Sequence, residues 1–149
     1  MKIIALQQKA NTGKTTVITK LYHKLCISYK KAAFQKENEY EDFSAIFRIG
    51  ERVLGITSVG DSEKDLKRAF EFFEKYNCNL VVACCHKKKD NGGSKEFIID
   101  KALEYKTEIV WYTKAYLQQW NTLYKPYEEI DVINDIQAKV LLREILLQL

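Results

Sequence analysis

The residues with the clearest chemical potential lie in one short segment, residues 8–16, whose sequence is Gln-Lys-Ala-Asn-Thr-Gly-Lys-Thr-Thr. It lies between an apolar stretch and a helical pattern, and the backbone N–H groups at a helix start have no partner within the helix. Gly13 lets the backbone turn tightly beside an anion. The Lys14 ammonium suits outer phosphate groups, and the Thr15 hydroxyl is a ligand that Mg²⁺ accepts. The segment therefore predicts a site for a phosphorylated ligand with Mg²⁺.

The same segment resembles the phosphate-binding loop of the P-loop NTPase superfamily, whose motif is G-x-x-x-x-G-K-[ST]. The match covers Gly13-Lys14-Thr15, whereas Gln8 stands at the position of the first glycine. The resemblance implies that a nucleoside triphosphate binds with Mg²⁺, and that Lys14 has a catalytic role. It also implies a set of nucleotide-binding residues: Lys9, Asn11, Thr12, Gly13, Lys14, Thr15 and Thr16.

A second resemblance, to the partitioning ATPases and the nitrogenase iron protein, concerns Lys9. Those proteins carry G-K-G-G-x-G-K-T-T, in which the first lysine reaches the nucleotide of the partner in a dimer. Lys9 and the stretch 13–16 match this pattern, while Gln8, Ala10 and Asn11 do not. Two alternatives follow: Lys9 acts across a homodimer, or it is a solvated loop lysine.

A carboxylate is expected near the Mg²⁺, at the end of a neighbouring strand. Asp61 is the first candidate for this metal role and for a catalytic role, because it follows the β-rich run 53–58. A hairpin whose second strand ends in Gly-Asp is also similar to the switch region of P-loop GTPases and kinases. The alternative is that Asp61 only supports the helix starting at Ser62, where an anion is favoured. Asp42 is the reserve candidate for the metal.

A lysine-rich segment, His86-Lys-Lys-Lys-Asp-Asn-Gly-Gly-Ser94, follows another strand. Ligands bind at the carboxyl ends of strands in open α/β sheets. The segment therefore predicts a mobile lid or a second-substrate site, with an ordinary surface loop as the alternative. Farther on, Thr113-Lys114-Ala115-Tyr116 resembles the [NT]-K-x-D sequence that GTPases use on guanine, but it lacks the aspartate. The sequence therefore does not identify the base, and ATP is the default expectation, with GTP as the alternative.

Strand-like and helix-like stretches alternate along the chain, which predicts a mainly parallel sheet covered by helices on both faces. The β-rich runs 43–49 and 53–58 are joined so closely that they must form an antiparallel hairpin. The expected fold is α/β, a three-layer αβα P-loop NTPase fold forming a single domain over residues 1–149. The predicted strands are 2–6, 32–35, 43–49, 53–58, 79–84 and 109–112, and the predicted helices are 15–29, 62–76, 95–105 and 129–148.

The clearest predicted helix, 62–76, opens with a capping-box pattern, Ser62-x-x-Asp65. Its apolar residues Leu66, Ala69, Phe70 and Phe73 share one helical face, which predicts that this face is buried.

Composition excludes several classes of protein. The net charge is +4, from 24 basic and 20 acidic residues, which is not the concentrated footprint of a nucleic-acid-binding domain. No apolar run approaches the ~20 residues of a membrane span. Polar Gln7, Gln8 and Lys9 interrupt the first apolar run, so no signal-peptide pattern is present and a cytoplasmic protein is expected.

Four cysteines, at positions 26, 78, 84 and 85, form no C-x-x-C pair. Cys84 and Cys85 are adjacent in a strand-like run, so they face opposite sides of the sheet and cannot join one small site. Buried free thiols in a reducing compartment are expected.

The last predicted helix carries more apolar residues than one face can bury. Seven of the final ten residues are apolar, whereas a helix that packs against a sheet needs about three or four per two turns. The excess covers either a second face of the same domain or another subunit, and a homodimer is the expectation.

Two functions remain open. The first is an enzyme, a small Mg-dependent ATPase or a phosphotransferase of kinase type, although Arg48, Arg52, Arg68 and Arg143 form no clear lid. The second is a regulatory nucleotide-binding module with little or no turnover, which acts through a partner interface. A more distant alternative is a nucleic-acid-associated protein that uses the lysine loop, with binding that weakens steeply in salt.

Overall fold

Strands and helices alternate along the chain in a computed structural model that describes residues 1–8, 14–39, 41–86, 93–113 and 127–149. Each predicted strand and helix is present, and the bounds differ by at most two residues. The strands are β1 (Lys2–Gln8), β2 (Lys30–Lys36), β3 (Phe43–Ile49), β4 (Arg52–Thr57), β5 (Leu80–His86) and β6 (Ile109–Thr113). The helices are α1 (Lys14–Ser28), α2 (Glu63–Lys75), α3 (Ser94–Glu104) and α4 (Tyr127–Gln148).

The six described strands form one mixed sheet in the order β2-β3-β4-β5-β1-β6. Three neighbouring pairs are parallel: β4 with β5, β5 with β1, and β1 with β6. The predicted hairpin of β3 and β4 is confirmed, and Gly50 takes a left-handed φ of 61° in its turn, a conformation that glycine adopts without strain. A second antiparallel pair, β2 with β3, is not apparent from the sequence pattern.

Helices cover both faces of this sheet, as predicted. One face packs against α1 and α4, with Leu21 and Leu141 among the fully buried side chains. The other face packs against α2 and α3, with Phe70 and Ile98 fully buried. The arrangement is compatible with a three-layer α/β fold.

Adjacent strands β1 and β5 lead to opposite faces of the sheet. The chain continues from β1 to α1 on one face, and from β5 to α3 on the other. In open α/β sheets such a divergence marks where ligands bind, outside the carboxyl ends of the two strands. The segments 9–13 and 87–92, which make these two connections, lie outside the described residues.

The predicted capping of α2 is confirmed. The Ser62 hydroxyl accepts a hydrogen bond from the Asp65 backbone N–H at 3.2 Å and donates one to its carboxylate at 2.7 Å. The buried face of α2 consists of the four predicted residues, Leu66, Ala69, Phe70 and Phe73.

All four cysteines are free, as expected, but the expectation that all are buried is wrong for Cys26, which is exposed. Cys26 lies outside the helical face of α1 that the buried Val17, Ile18, Leu21 and Leu25 form, so its side chain faces solvent. Cys84 and Cys85 belong to the cores on opposite faces of the sheet, as strand alternation predicts. Burial raises the pKa of the Cys78 thiol to about 12.

Helix α4 presents apolar side chains on two opposite sides. Ala138, Leu141 and Ile145 are buried against the sheet and α1. The opposite side exposes an apolar stripe, here called the α4 stripe, formed by Val132, Ile136, Val140 and Leu147. Spacings of four and seven residues align these side chains along the helix. The described part of the chain leaves this stripe uncovered, with Leu147 at 71% exposure.

Among the helices that the structure describes, none combines the length and the apolar character needed to cross a membrane.

Candidate functional site

Five strand ends meet at one edge of the sheet. Strands β1, β2, β4, β5 and β6 run in the same direction, and β3 is the one described strand that runs in the opposite direction. Their carboxyl ends therefore share one edge, and β3 begins there. The residues that come together at this edge are Gln8, Glu37, Asp42, Ser58, His86 and Thr113.

Helix α1 begins at Lys14, across the connection from the end of β1. No acidic residue lies in its first turn, so no carboxylate of the helix itself offsets the partial positive charge at its start. Thr15 and Thr16 are exposed in this turn. The predicted contacts Lys9, Asn11, Thr12 and Gly13 lie outside the described residues, as does the side chain of Lys14.

The Thr15 hydroxyl contacts a carboxylate. It donates a hydrogen bond to Asp42 Oδ1 over 3.4 Å, although the two residues are 27 positions apart in the chain. Of the two carboxylates that the sequence offers for the metal, Asp42 is therefore the one in contact with Thr15.

The Asp42 carboxylate is held by two further side chains. The Ser58 hydroxyl donates to its Oδ1 at 2.9 Å, and the Asn38 amide donates to its Oδ2 at 2.9 Å. The Asp42 backbone N–H returns a hydrogen bond to the Asn38 side-chain oxygen at 3.3 Å. These contacts orient the carboxylate toward the start of α1. Sequence reasoning does not identify Asn38 or Ser58, and the only local signal is the Asn–Asp pair four residues apart in a polar loop.

Asp61 lies beside a different group. Its Oδ1 is 3.5 Å from His86 Nε2, and its side chain is 74% exposed, compared with 16% for His86. Ser62, and not Asp61, is the N-cap residue of α2. The metal and catalytic roles of Asp61 stay predictions.

Gly60 brings Asp61 close to β5. A Cβ atom added at Gly60 would lie 2.5 Å from the carbonyl carbon and oxygen of Cys84. The chain that leaves β4 therefore passes directly over the β5 backbone, two residues before His86, and only glycine permits this approach.

The predicted lid is described only at its two ends. The His86 backbone N–H donates to the Ser94 hydroxyl at 3.2 Å, and Gly93 takes a left-handed φ of 66° before α3. The lysines and the first glycine of this segment lie outside the described residues, so the lid stays a prediction.

At the end of β6, the Thr113 hydroxyl accepts a hydrogen bond from Gln7 Nε2 at 3.0 Å. The remainder of the segment that resembles a guanine-binding sequence, residues 114–116, lies outside the described residues.

The pair of Thr15 and Asp42 suits a small, hard cation. Mg²⁺ prefers oxygen ligands in an octahedron, where adjacent ligands lie about 3 Å apart, and it usually retains water and phosphate ligands. The 3.4 Å between Thr15 Oγ1 and Asp42 Oδ1 is close to this spacing. Within the described residues, no three or more His, Cys, Asp or Glu side chains are grouped as a metal site.

Comparison of the chain with protein-family models, with curated proteins and with solved structures found no match in any of the three.

Proposed function

We propose that the chain binds a nucleoside triphosphate with Mg²⁺ at the carboxyl edge of the sheet, between the end of β1 and the start of α1. The observation that carries the proposal is the contact between Thr15 and Asp42. A hydroxyl in the first turn of a helix and a carboxylate lie together beside the divergence of β1 and β5, where an α/β sheet binds ligands.

Each group has a separate task in this proposal. The loop amides of residues 9–13 and the Lys14 ammonium bind the phosphates, by analogy with the P-loop NTPases that the segment 8–16 resembles. The Thr15 hydroxyl and the Asp42 carboxylate hold the cation. Bound Mg²⁺ neutralises charge on the outer phosphates. Asn38 and Ser58 keep Asp42 oriented, so the site does not need to reorganise when the ligand arrives.

Asp61 is the candidate residue for turnover of the bound nucleotide. We propose hydrolysis of the triphosphate or transfer of its phosphate, with Asp61 and the neighbouring His86 beside the reacting end. ATP is the expected nucleotide, because the segment after β6 lacks the aspartate that GTPases use on guanine.

The second candidate function is a regulatory module with little or no turnover. The α4 stripe favours it, since a row of exposed apolar side chains is typical of a protein interface. In this alternative the stripe joins two copies in a homodimer, and nucleotide binding changes that interface.

Calorimetric titration with ATP and with GTP, each with and without Mg²⁺, tests the proposal. We expect Mg-dependent binding of ATP, and Lys14→Ala should weaken it by about 10- to 100-fold, because the variant loses a charge-assisted contact to phosphate. If Lys14→Ala binds ATP as tightly as the parent chain, the proposal is wrong. A phosphate-release assay then separates the enzyme from the regulatory module.

A further inference from the structure

A buried carboxylate lies behind the proposed cation site. Glu37 follows β2, and its side chain is only 2% exposed. Its Oε1 accepts hydrogen bonds from Ser44 Oγ at 2.5 Å and from Gln35 Nε2 at 2.9 Å. Its Oε2 is buried without a hydrogen bond and lies 3.9 Å from Arg68 Nη2 on α2. Burying a carboxylate costs free energy unless nearby charge and hydrogen bonds compensate it. Here Oε1 is compensated by two hydrogen bonds, whereas Oε2 has, among the described residues, only the Arg68 guanidinium nearby.

Glu37 is tied directly to Asp42. Its backbone N–H donates to the Asp42 carbonyl at 2.8 Å, which joins the two ends of the loop 37–42. Arg68 Nη1 donates to the Glu37 carbonyl at 3.1 Å. Arg68 therefore hydrogen-bonds the Glu37 backbone and lies at ion-pair distance from its carboxylate, and through these contacts it restrains the loop that carries Asp42.

Buried hydroxyl groups connect the loop 37–42 to the end of β4. The single Ser44 hydroxyl hydrogen goes to Glu37. The Thr57 hydroxyl lies 3.0 Å from Ser44 Oγ and 3.2 Å from the Phe43 carbonyl oxygen, so it donates its own hydrogen to one of these two acceptors. The Phe43 backbone N–H donates to Ser58 Oγ at 3.0 Å, and Ser58 in turn contacts Asp42. A continuous polar network thus runs from Thr15, through Asp42, to Arg68 on α2.

We infer that Glu37 and Arg68 are a positioning pair for the cation-binding carboxylate Asp42. The pair holds the loop 37–42 closed, and the closed loop keeps Asp42 beside Thr15. The inference rests on the proposed function, because it assigns Asp42 to the cation. Arg68 is about half exposed, so the surface of α2 is linked to the site, and whatever draws Arg68 away weakens cation binding.

The test compares two neutral variants of the same loop, Glu37→Gln and Glu39→Gln. Glu39 is exposed, so its variant is the matched control for loss of charge. The measured quantity is the ATP dissociation constant in Mg²⁺ and in EDTA. We expect Glu37→Gln to weaken binding in Mg²⁺ by about tenfold, as the loss of partners that orient a metal ligand does. Binding in EDTA should stay unchanged, and Glu39→Gln should change neither constant.

A second readout does not depend on the ligand. In the nucleotide-free protein, the Glu37 backbone N–H should exchange faster in Glu37→Gln than in Glu39→Gln, because the loop ends are less restrained. Should Glu37→Gln fail to fold, Arg68→Gln replaces it, since that side chain is half exposed, and the same two results are expected.

The outcomes separate the two claims. If the ATP dissociation constants of Glu37→Gln and Glu39→Gln depend equally on Mg²⁺, the positioning role is wrong and the proposed function still holds. An equal loss in Mg²⁺ and in EDTA also overturns it, because that result indicates a general structural defect. If the parent chain binds no ATP in Mg²⁺, the proposed function fails, and this inference fails with it.

Discussion

Replacement of Gly60 by alanine tests the path that brings Asp61 to β5. The added Cβ would lie 2.5 Å from the Cys84 carbonyl carbon and oxygen and 2.6 Å from its Cβ. Atoms of this kind pack at about 3.5–4 Å, so one backbone segment must move by roughly 1 Å. Both segments are buried, Cys84 lies in a central strand, and the two nearest atoms belong to its backbone, so rotating a side chain cannot relieve the clash.

We expect Gly60→Ala to lower the free energy of unfolding by about 3 kcal/mol, the upper range for overpacking a core. That loss corresponds to a fall in Tm of roughly 6–12 °C for a chain of this size. Urea unfolding followed by circular dichroism measures it. The lower conformational entropy of the unfolded alanine variant offsets less than about 1 kcal/mol of the loss.

Gly50→Ala is the matched control. Gly50 also lies in a connection, and a Cβ there would meet no atom within 4 Å, although its φ is 61°. The only strain in Gly50→Ala comes from holding alanine in the left-handed backbone conformation, which costs about 1 kcal/mol. If Gly60→Ala unfolds no more easily than Gly50→Ala, the close approach of Gly60 to β5 is wrong.

Asp61→Asn should slow phosphate release, because Asp61 lies beside His86 at the proposed reacting end. It should leave ATP affinity within about twofold, because the carboxylate that contacts Thr15 is Asp42. An unchanged rate would exclude the catalytic role of Asp61. At pH 8 a thiol reagent should label the exposed Cys26 rapidly, whereas Cys78, which is buried with its pKa raised to about 12, should react only on unfolding; rapid labelling of two or more thiols would contradict the buried positions. Light scattering at tens of micromolar should detect a homodimer that Ile136→Glu, in the α4 stripe, converts to a monomer; a monomeric parent chain, with and without ATP and Mg²⁺, would exclude the dimer.

The raised pKa of Cys78 also makes the free energy of unfolding depend on pH. The unfolded thiol releases its proton near pH 8.5–9, whereas the folded thiol keeps it until about pH 12. The unfolded state therefore binds fewer protons between these values, so stability contributed by the neutral thiol is present below pH 8.5 and is lost as the pH rises toward 12. Cys78→Ala should make the free energy of unfolding less dependent on pH between about 8.5 and 12. If the slope against pH is unchanged, the raised pKa of Cys78 is wrong.

Local patterns were sufficient to predict the elements of the fold. Alternation along β5 predicts that Cys84 and Cys85 face opposite sides, and the capping box predicts the start of α2 at Ser62. These features depend on residues within one or two turns of each other. The order of the strands depends on pairing across the whole chain, and the lysine-rich edge strand β2 has only a weak pattern of its own, so its antiparallel pairing was not predicted.

In the candidate site, too, local features are predictable from the sequence and long-range contacts are not. Lys14 and Thr15 follow from a contiguous motif, whereas the contact of Thr15 with Asp42 joins residues that are 27 positions apart. Periodicity and composition contain no information on such a contact, which is why the sequence favours Asp61, at the more conspicuous strand end, over Asp42. Glu37 is still harder to recognise, because a charged residue in a polar loop gives no sign that it will be buried.

The central claim is that Thr15 and Asp42 together hold the cation of a bound nucleoside triphosphate. Its most direct test is the ATP dissociation constant of Asp42→Asn, measured in Mg²⁺ and in EDTA beside the parent chain. The amide keeps the size of the side chain and removes its charge, so ATP binding in Mg²⁺ should weaken by about tenfold or more. Binding in EDTA should not weaken, because no cation is lost and a negative charge beside the phosphates is removed. If Asp42→Asn binds ATP in Mg²⁺ as tightly as the parent chain does, Asp42 does not hold the cation.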